Sequence, residues 1–182
     1  MYFKKINFTV PNIDYEPYID SHLVSYGKNK LLSYYRLKHE AKKPIIDSLP
    51  AELIDNVEIL YCHSGQIEPD VIPHIDNGIS VSINCYLDTA DAHTIFFEKK
   101  KNVEGMPTTG IDSAEISHKN GLIFNIEELD FICAFKAYPG DSYILDVSKI
   151  HAVKGLNLPS VRKFICIQTS RFSFQDFSSM FQ

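Results

Sequence analysis

Between Ile79 and Leu87 the chain alternates without a break. Ile79, Val81, Ile83, Cys85 and Leu87 take the odd positions; Ser80, Ser82, Asn84 and Tyr86 take the even ones. Strand side chains point to opposite faces with period 2, whereas a helix would scatter both sets around its circumference. The run is therefore expected to be a β-strand whose odd face lies in a core. The even face has two readings: it meets water, as one side of many antiparallel sheets does, or it lines a polar cavity inside a barrel. The residues just upstream favour the cavity. His74 and Asp76, in Val71-Ile72-Pro73-His74-Ile75-Asp76, share the even parity if Gly78 inserts no bulge.

On an extended backbone a histidine and an aspartate two residues apart face the same side. They offer one imidazole nitrogen and one carboxylate oxygen to a single point. That is two-thirds of the 2-His-1-carboxylate set that holds non-haem iron(II) and leaves coordination positions open. The third ligand is then a histidine far down the chain, at the end of another strand. His151, in Asp146-Val147-Ser148-Lys149-Ile150-His151, is the candidate.

Length and charge bound the remaining possibilities. At 182 residues the chain is expected to be one domain with a full core of its own. A net charge of −5 gives no general attraction to nucleic acid, and Lys99-Lys100-Lys101 reads as a solvated loop. No apolar run reaches the roughly 20 residues that span a bilayer, and Met1-Tyr2-Phe3-Lys4-Lys5 has no signal-peptide core. Cys62, Cys85, Cys133 and Cys166 are too widely spaced for a zinc site built on paired Cys-x-x-Cys. They read as reduced thiols of a cytoplasmic protein.

Three stretches differ in texture. Residues 1–56 read as a support: a strand over 2–10 ended by Pro11, a Tyr- and Leu-rich segment over 14–40 that fits helix or strand, and short helical pieces bracketed by Pro44 and Pro50. Residues 57–170 are short strands between turn signals. They run over 57–62, 79–87, 93–98, 121–126, 131–137, 142–147 and 161–170, with a long loop over 99–120. Residues 171–182 are a C-terminal extension. Many short strands without a βαβ rhythm indicate a mainly β fold, a sandwich or barrel flanked by N-terminal helices.

Three features of residues 57–170 together resemble the double-stranded β-helix, or jelly-roll, core of the 2-oxoglutarate- and iron(II)-dependent oxygenases. They are His74-Ile75-Asp76 entering a strand, Pro139-Gly140-Asp141-Ser142-Tyr143-Ile144-Leu145-Asp146 leading to His151-Ala152-Val153, and Arg162 eleven residues beyond His151. The stretch from His74 through Tyr86-Leu87-Asp88 is similar in texture to the prolyl hydroxylase branch. The resemblance implies iron bound by His74, Asp76 and His151, with 2-oxoglutarate and dioxygen as co-substrates. It implies oxidation of a substrate, most simply hydroxylation of a protein side chain or small molecule, with release of succinate and carbon dioxide. It also implies that Tyr86 helps to bind 2-oxoglutarate.

The distal carboxylate of that co-substrate needs an anchor, and an arginine fork suits it. Arg162 shares parity with Phe164, Cys166 and Gln168; Lys163 is a competing cation of opposite parity. Asn84 is a further candidate for the co-substrate or a metal-bound water, and Tyr61 another contact. His63, His93 and His118 are expected not to be ligands. The spacing of eleven, with Gly155 and Pro159 between, is slightly longer than in many prolyl hydroxylases, and no tryptophan is present to stack a substrate. Two other classes remain open: a cupin-like protein that binds a metal or small molecule without oxidation, and a structural jelly roll without metal. No motif identifies the substrate or the oligomeric state.

Overall fold

The alternating run forms the strand Val81–Asp88, and both of its faces are buried down to Tyr86. It is one of thirteen strands among the described residues, which are 1–26, 32–64, 71–76, 78–107, 121–155 and 161–181 of this computed structural model. In chain order the elements are β1 (Phe3–Ile6), β2 (Ile19–Tyr26), β3 (Leu32–Leu37), α1 (His39–Ile46), β4 (Glu58–Ser64), β5 (Val71–Ile75), β6 (Val81–Asp88) and β7 (His93–Lys99). Next come β8 (Met106–Pro107), β9 (Leu122–Ile123), β10 (Leu129–Lys136), β11 (Ser142–Leu145), β12 (Ile150–Lys154), β13 (Lys163–Thr169) and α2 (Phe174–Ser179). The ladders are antiparallel and make a seven-stranded sheet, β1-β11-β6-β13-β4-β3-β2, and a six-stranded sheet, β10-β7-β12-β5-β9-β8. This is the expected mainly β jelly roll.

The seven-stranded sheet separates two cores. One side, with the odd-numbered residues of β4, β6 and β13 (Ile59, Tyr61, Val81, Ile83, Cys85, Ile165 and Ile167) and Ile144 of β11, packs against Ala41 and Ile45 of α1 and Phe174 and Phe177 of α2. The opposite side, with Leu60, Cys62, Tyr86, Tyr143, Leu145, Phe164 and Cys166, meets Phe96 and Phe135 of the six-stranded sheet. The reading of the even face as the lining of an interior holds for Ser82, Asn84 and Tyr86. It fails for Ser80, whose hydroxyl donates to the Phe172 and Thr169 carbonyls (2.6 and 3.1 Å).

Several expectations are corrected. Residues 14–40, which fitted helix or strand, contain the strands β2 and β3 at one edge of the seven-stranded sheet. Pro44 lies within α1, not at its border, and Pro50 caps a separate short turn at Ala51–Leu53. The strand expected over 121–126 shrinks to two residues followed by a turn. The C-terminal extension folds into α2, whose Ser173 hydroxyl accepts the Asp176 N–H, a side-chain cap for the first turn. Much of the 99–120 loop, with Gly110 and His118, and also Pro159, lies outside the described residues. No helix among the described residues is long and apolar enough to cross a membrane.

Candidate metal and co-substrate site

His74 and Asp76 do not reach the cavity along one continuous strand with Ser82 and Asn84. β5 belongs to the six-stranded sheet and β6 to the seven-stranded one, with Gly78 at φ +70° in the turn between them. A residue in that left-handed region is best a glycine. The two sets of side chains share a cavity because the sheets face each other. His151 also sits differently from expectation. It is the second residue of its own strand, β12, where it pairs directly with His74 of β5 and with Phe96 of β7.

That pairing brings three donor groups together. One ligand atom from each of His74, Asp76 and His151 lies within 4.8 Å of the other two. Nε2 of His74 is 3.4 Å from Asp76 Oδ1, and Nε2 of His151 is 4.0 Å from the same oxygen. The far nitrogen of each ring is held by backbone: His74 Nδ1–H donates to the Ile72 carbonyl (2.8 Å) and His151 Nδ1–H to the Lys149 carbonyl (2.9 Å). A carbonyl only accepts, so both rings carry their proton on Nδ1 and present a lone pair on Nε2. The donor set is therefore two neutral imidazoles and a carboxylate on one side of a point, which fits iron(II) with open positions.

The electrostatics separate the two histidines. Burial lowers the His151 pKa to about 4, and neighbouring His74 adds to that effect, so this ring stays neutral over the ordinary pH range. Burial also disfavours the charged form of His74. There the Asp76 carboxylate favours the imidazolium, by accepting the Nε2–H that only the protonated ring carries and by its charge, and so outweighs burial and raises the pKa.

The same cavity is lined by Arg162, which is buried just before β13. Its Nη2 donates to Tyr86 Oη (2.9 Å) and to Thr94 Oγ1 (3.0 Å), and its guanidinium lies 4.9 Å from the centroid of the Tyr86 ring. Each hydroxyl accepts from the guanidinium and so keeps its own O–H as a donor. A cation with two hydroxyl donors is the chemistry that a carboxylate needs in a dry place. Asn84 adds a buried amide whose Oδ1 has no hydrogen-bond partner among the described residues. Turning the amide presents Nδ2 as a donor instead. His74, Asp76, Ser82, Asn84, Thr94, His151, Arg162 and Phe164 all line one cavity of about 570 Å³, counting its open mouth.

Other candidates fall elsewhere. Lys163 points away and pairs with Glu16 (2.7 Å). Tyr61 lies in the opposite core, stacked on Tyr15, and His63 stacks on Tyr35 with Nε2 2.9 Å from its hydroxyl. Gln168 shares the inner face but donates to Glu58 (3.1 Å). Of the three phenylalanines near the site, Phe164 lines the cavity, Phe96 packs on His151 with ring centroids 5.9 Å apart, and Phe97 lies in a separate cluster. Thr94 is a site residue that the sequence did not single out. Its signal was parity with Phe96, which makes it a hydroxyl on the inward face of β7.

No family model matches the chain, and no curated protein matches it in sequence. Solved structures do share the fold. The Escherichia coli protein ycfD superposes with a TM-score of 0.50 and 14% identity, covering 98% of this chain and 52% of its own. SnoK, described as a non-heme alpha-ketoglutarate (2-oxoglutarate) dependent carbocyclase of nogalamycin biosynthesis, gives a TM-score of 0.50 at 9% identity, covering 82% of this chain and 68% of its own. This chain thus spans about half the length of ycfD. At these identities the likeness is one of fold.

Proposed function

We propose that the cavity is the active site of an iron(II)- and 2-oxoglutarate-dependent oxygenase that acts on a protein side chain or small molecule. The observation that carries this reading is the coexistence, in one cavity, of a His-Asp-His cluster with both Nδ1 atoms locked and a buried arginine joined to two hydroxyls. A metal-binding jelly roll with no co-substrate has no use for the second half.

His74, Asp76 and His151 would hold the iron, and bound iron with 2-oxoglutarate and dioxygen would supply oxidative decarboxylation coupled to oxidation of a substrate C–H bond. The protein's own part is positional and electrostatic. Asp76 neutralises one of the two metal charges. The Ile72 and Lys149 carbonyls fix the ring tautomers, so metal binding needs no proton rearrangement at Nδ1. Arg162, Tyr86 and Thr94 would bind the distal carboxylate of 2-oxoglutarate, with Asn84 beside it. Val71, Val147 and Val153 line the cavity and limit water around the reacting groups. Four free cysteines, three of them buried, support a reducing, cytoplasmic setting for this chemistry.

The test is succinate release from 2-oxoglutarate with added Fe(II), comparing wild type with His74→Ala and Arg162→Ala. Calorimetry with Mn(II) under anaerobic conditions separates binding from turnover. Wild type should bind both metal and 2-oxoglutarate; His74→Ala should lose the first and Arg162→Ala the second. Metal binding without 2-oxoglutarate binding in wild type favours the non-oxidative cupin-like protein. Binding of neither favours the structural jelly roll.

A further inference from the structure

An unbroken run of ring contacts connects His151 to Tyr86, the partner of Arg162. His151 packs on Phe96 (centroids 5.9 Å apart), Phe96 on Phe3 (6.0 Å) and Phe3 on Phe135 (4.6 Å). Phe135 stacks on Tyr143 (4.1 Å), and Tyr143 meets Tyr86 edge-on (6.2 Å). Tyr86 carries the Arg162 guanidinium over its face and on its hydroxyl. Phe96, Phe135, Tyr143 and Tyr86 come from β7, β10, β11 and β6. Phe3 alone comes from β1, the edge strand, and it bridges the two sheets by touching Phe96 and Phe135 of one and Tyr143 of the other.

Phe3 is tied to the site by backbone as well. It pairs with Leu145, which lines the cavity. Its neighbour Tyr2 accepts the Asp146 N–H on its carbonyl (2.9 Å). Asp146 opens the turn in which Lys149 N–H donates to the Asp146 carbonyl (3.2 Å), and the Lys149 carbonyl holds His151 Nδ1–H.

We infer that Phe3 is a positioning residue for both halves of the site, holding His151 through Phe96 and Arg162 through Phe135, Tyr143 and Tyr86. The inference rests on the metal and co-substrate roles proposed above. Ring pairs are directional and densely packed interiors transmit small shifts, so removing the shared ring moves both ends of the run at once. A residue that only filled space would change stability and leave the two affinities alone.

The experiment is anaerobic calorimetry of Mn(II), then of 2-oxoglutarate on the Mn(II)-loaded protein, with thermal melts of the same samples. The variants are Phe3→Leu, Phe3→Ala, Phe3→Tyr and, as a control from the opposite core, Phe8→Ala. Phe8 packs edge-on against Phe181, 5.7 Å away, and belongs to the core that excludes the run of rings. Phe3→Leu keeps apolar volume and so keeps the fold; it should weaken both metal and 2-oxoglutarate binding, and Phe3→Ala should weaken each on the order of tenfold. Phe3→Tyr, which restores the ring, should recover both affinities. Phe8→Ala should lower the melting temperature and leave both affinities at the wild-type value. If Phe3→Leu melts lower but binds both ligands as wild type does, the positioning role is overturned while the oxygenase reading stands. If wild type itself binds neither ligand, both fall together.

Discussion

His151 and His74 face each other as direct partners across the β12–β5 ladder, with ring centroids 4.3 Å apart and planes inclined by 50°. Each donates its inner N–H to a carbonyl two residues before it in sequence, Lys149 or Ile72. Two paired strand positions thus supply two of the three donor groups of the candidate cluster. Asp76, just past the end of β5, supplies the carboxylate.

The metal should depend on all three side chains. His74→Ala, Asp76→Ala and His151→Ala are each expected to weaken Mn(II) or Fe(II) binding by on the order of 100-fold or more, read as metal content after dialysis. His63→Ala should keep full metal content, since His63 is engaged with Tyr35.

Acid should remove the metal through one histidine before the other. Metal requires neutral imidazole. The His74 pKa is raised, so this ring takes up a proton as pH falls through a value above its ordinary 6.5, and that proton competes with the metal. The pKa of His151 lies at about 4, so it offers no competing proton until far lower pH. The apparent affinity should therefore fall by roughly tenfold for each unit that the pH is lowered from about 6.5 to about 5, the slope for one proton. A slope of two protons would contradict the assignment.

Arg162→Lys should raise the 2-oxoglutarate Kd by on the order of tenfold while metal binding stays unchanged. A lysine keeps the charge but cannot reach Tyr86 and Thr94 with a planar fork. Thr94→Val should cost less, about 1 kcal/mol of 2-oxoglutarate binding, for one hydroxyl lost. Lys163→Ala should leave 2-oxoglutarate binding alone. Its exposed pair with Glu16 is worth less than about 1 kcal/mol of stability in a denaturant titration.

The C-terminal helix should matter to the fold without touching the cavity. Phe177 is fully buried in the core on the far side of the seven-stranded sheet. Phe177→Ala is expected to cost about 3–5 kcal/mol in a denaturant titration, with the metal affinity of the folded fraction unchanged.

Legibility tracked periodicity. β6 was readable because both of its faces are buried by different partners, one apolar and one polar, which leaves a clean period of 2. β2 was not, because its register against β3 slips between Ile19 and Ser21 and again between His22 and Val24. Each bulge reverses the parity of the residues beyond it, and the Tyr- and Leu-rich composition then fits helix as well as strand. α2 has six residues, too few to display a helical period, although Ser173 and Asp176 carry the capping pattern. The two histidines and the aspartate were legible by spacing and residue type, His74 and Asp76 two residues apart and His151 from a neighbouring strand. What parity misjudged was their continuity with Ser82 and Asn84, because Gly78 turns the chain from one sheet to the other. Arg162 was legible by parity with Phe164 and Cys166. Thr94 was overlooked: parity with Phe96 puts it on the inward face of β7, but a lone threonine does not announce that it partners an arginine.

The pairing of His151 with His74 bears on how the chain reaches its native state. A slip of one position between β12 and β5 turns one imidazole to the far side of the sheet, and the three donor atoms then no longer meet. If the three side chains hold a metal as proposed, metal content after refolding would therefore report strand alignment, since only a molecule with the two segments in register brings His74 and His151 together.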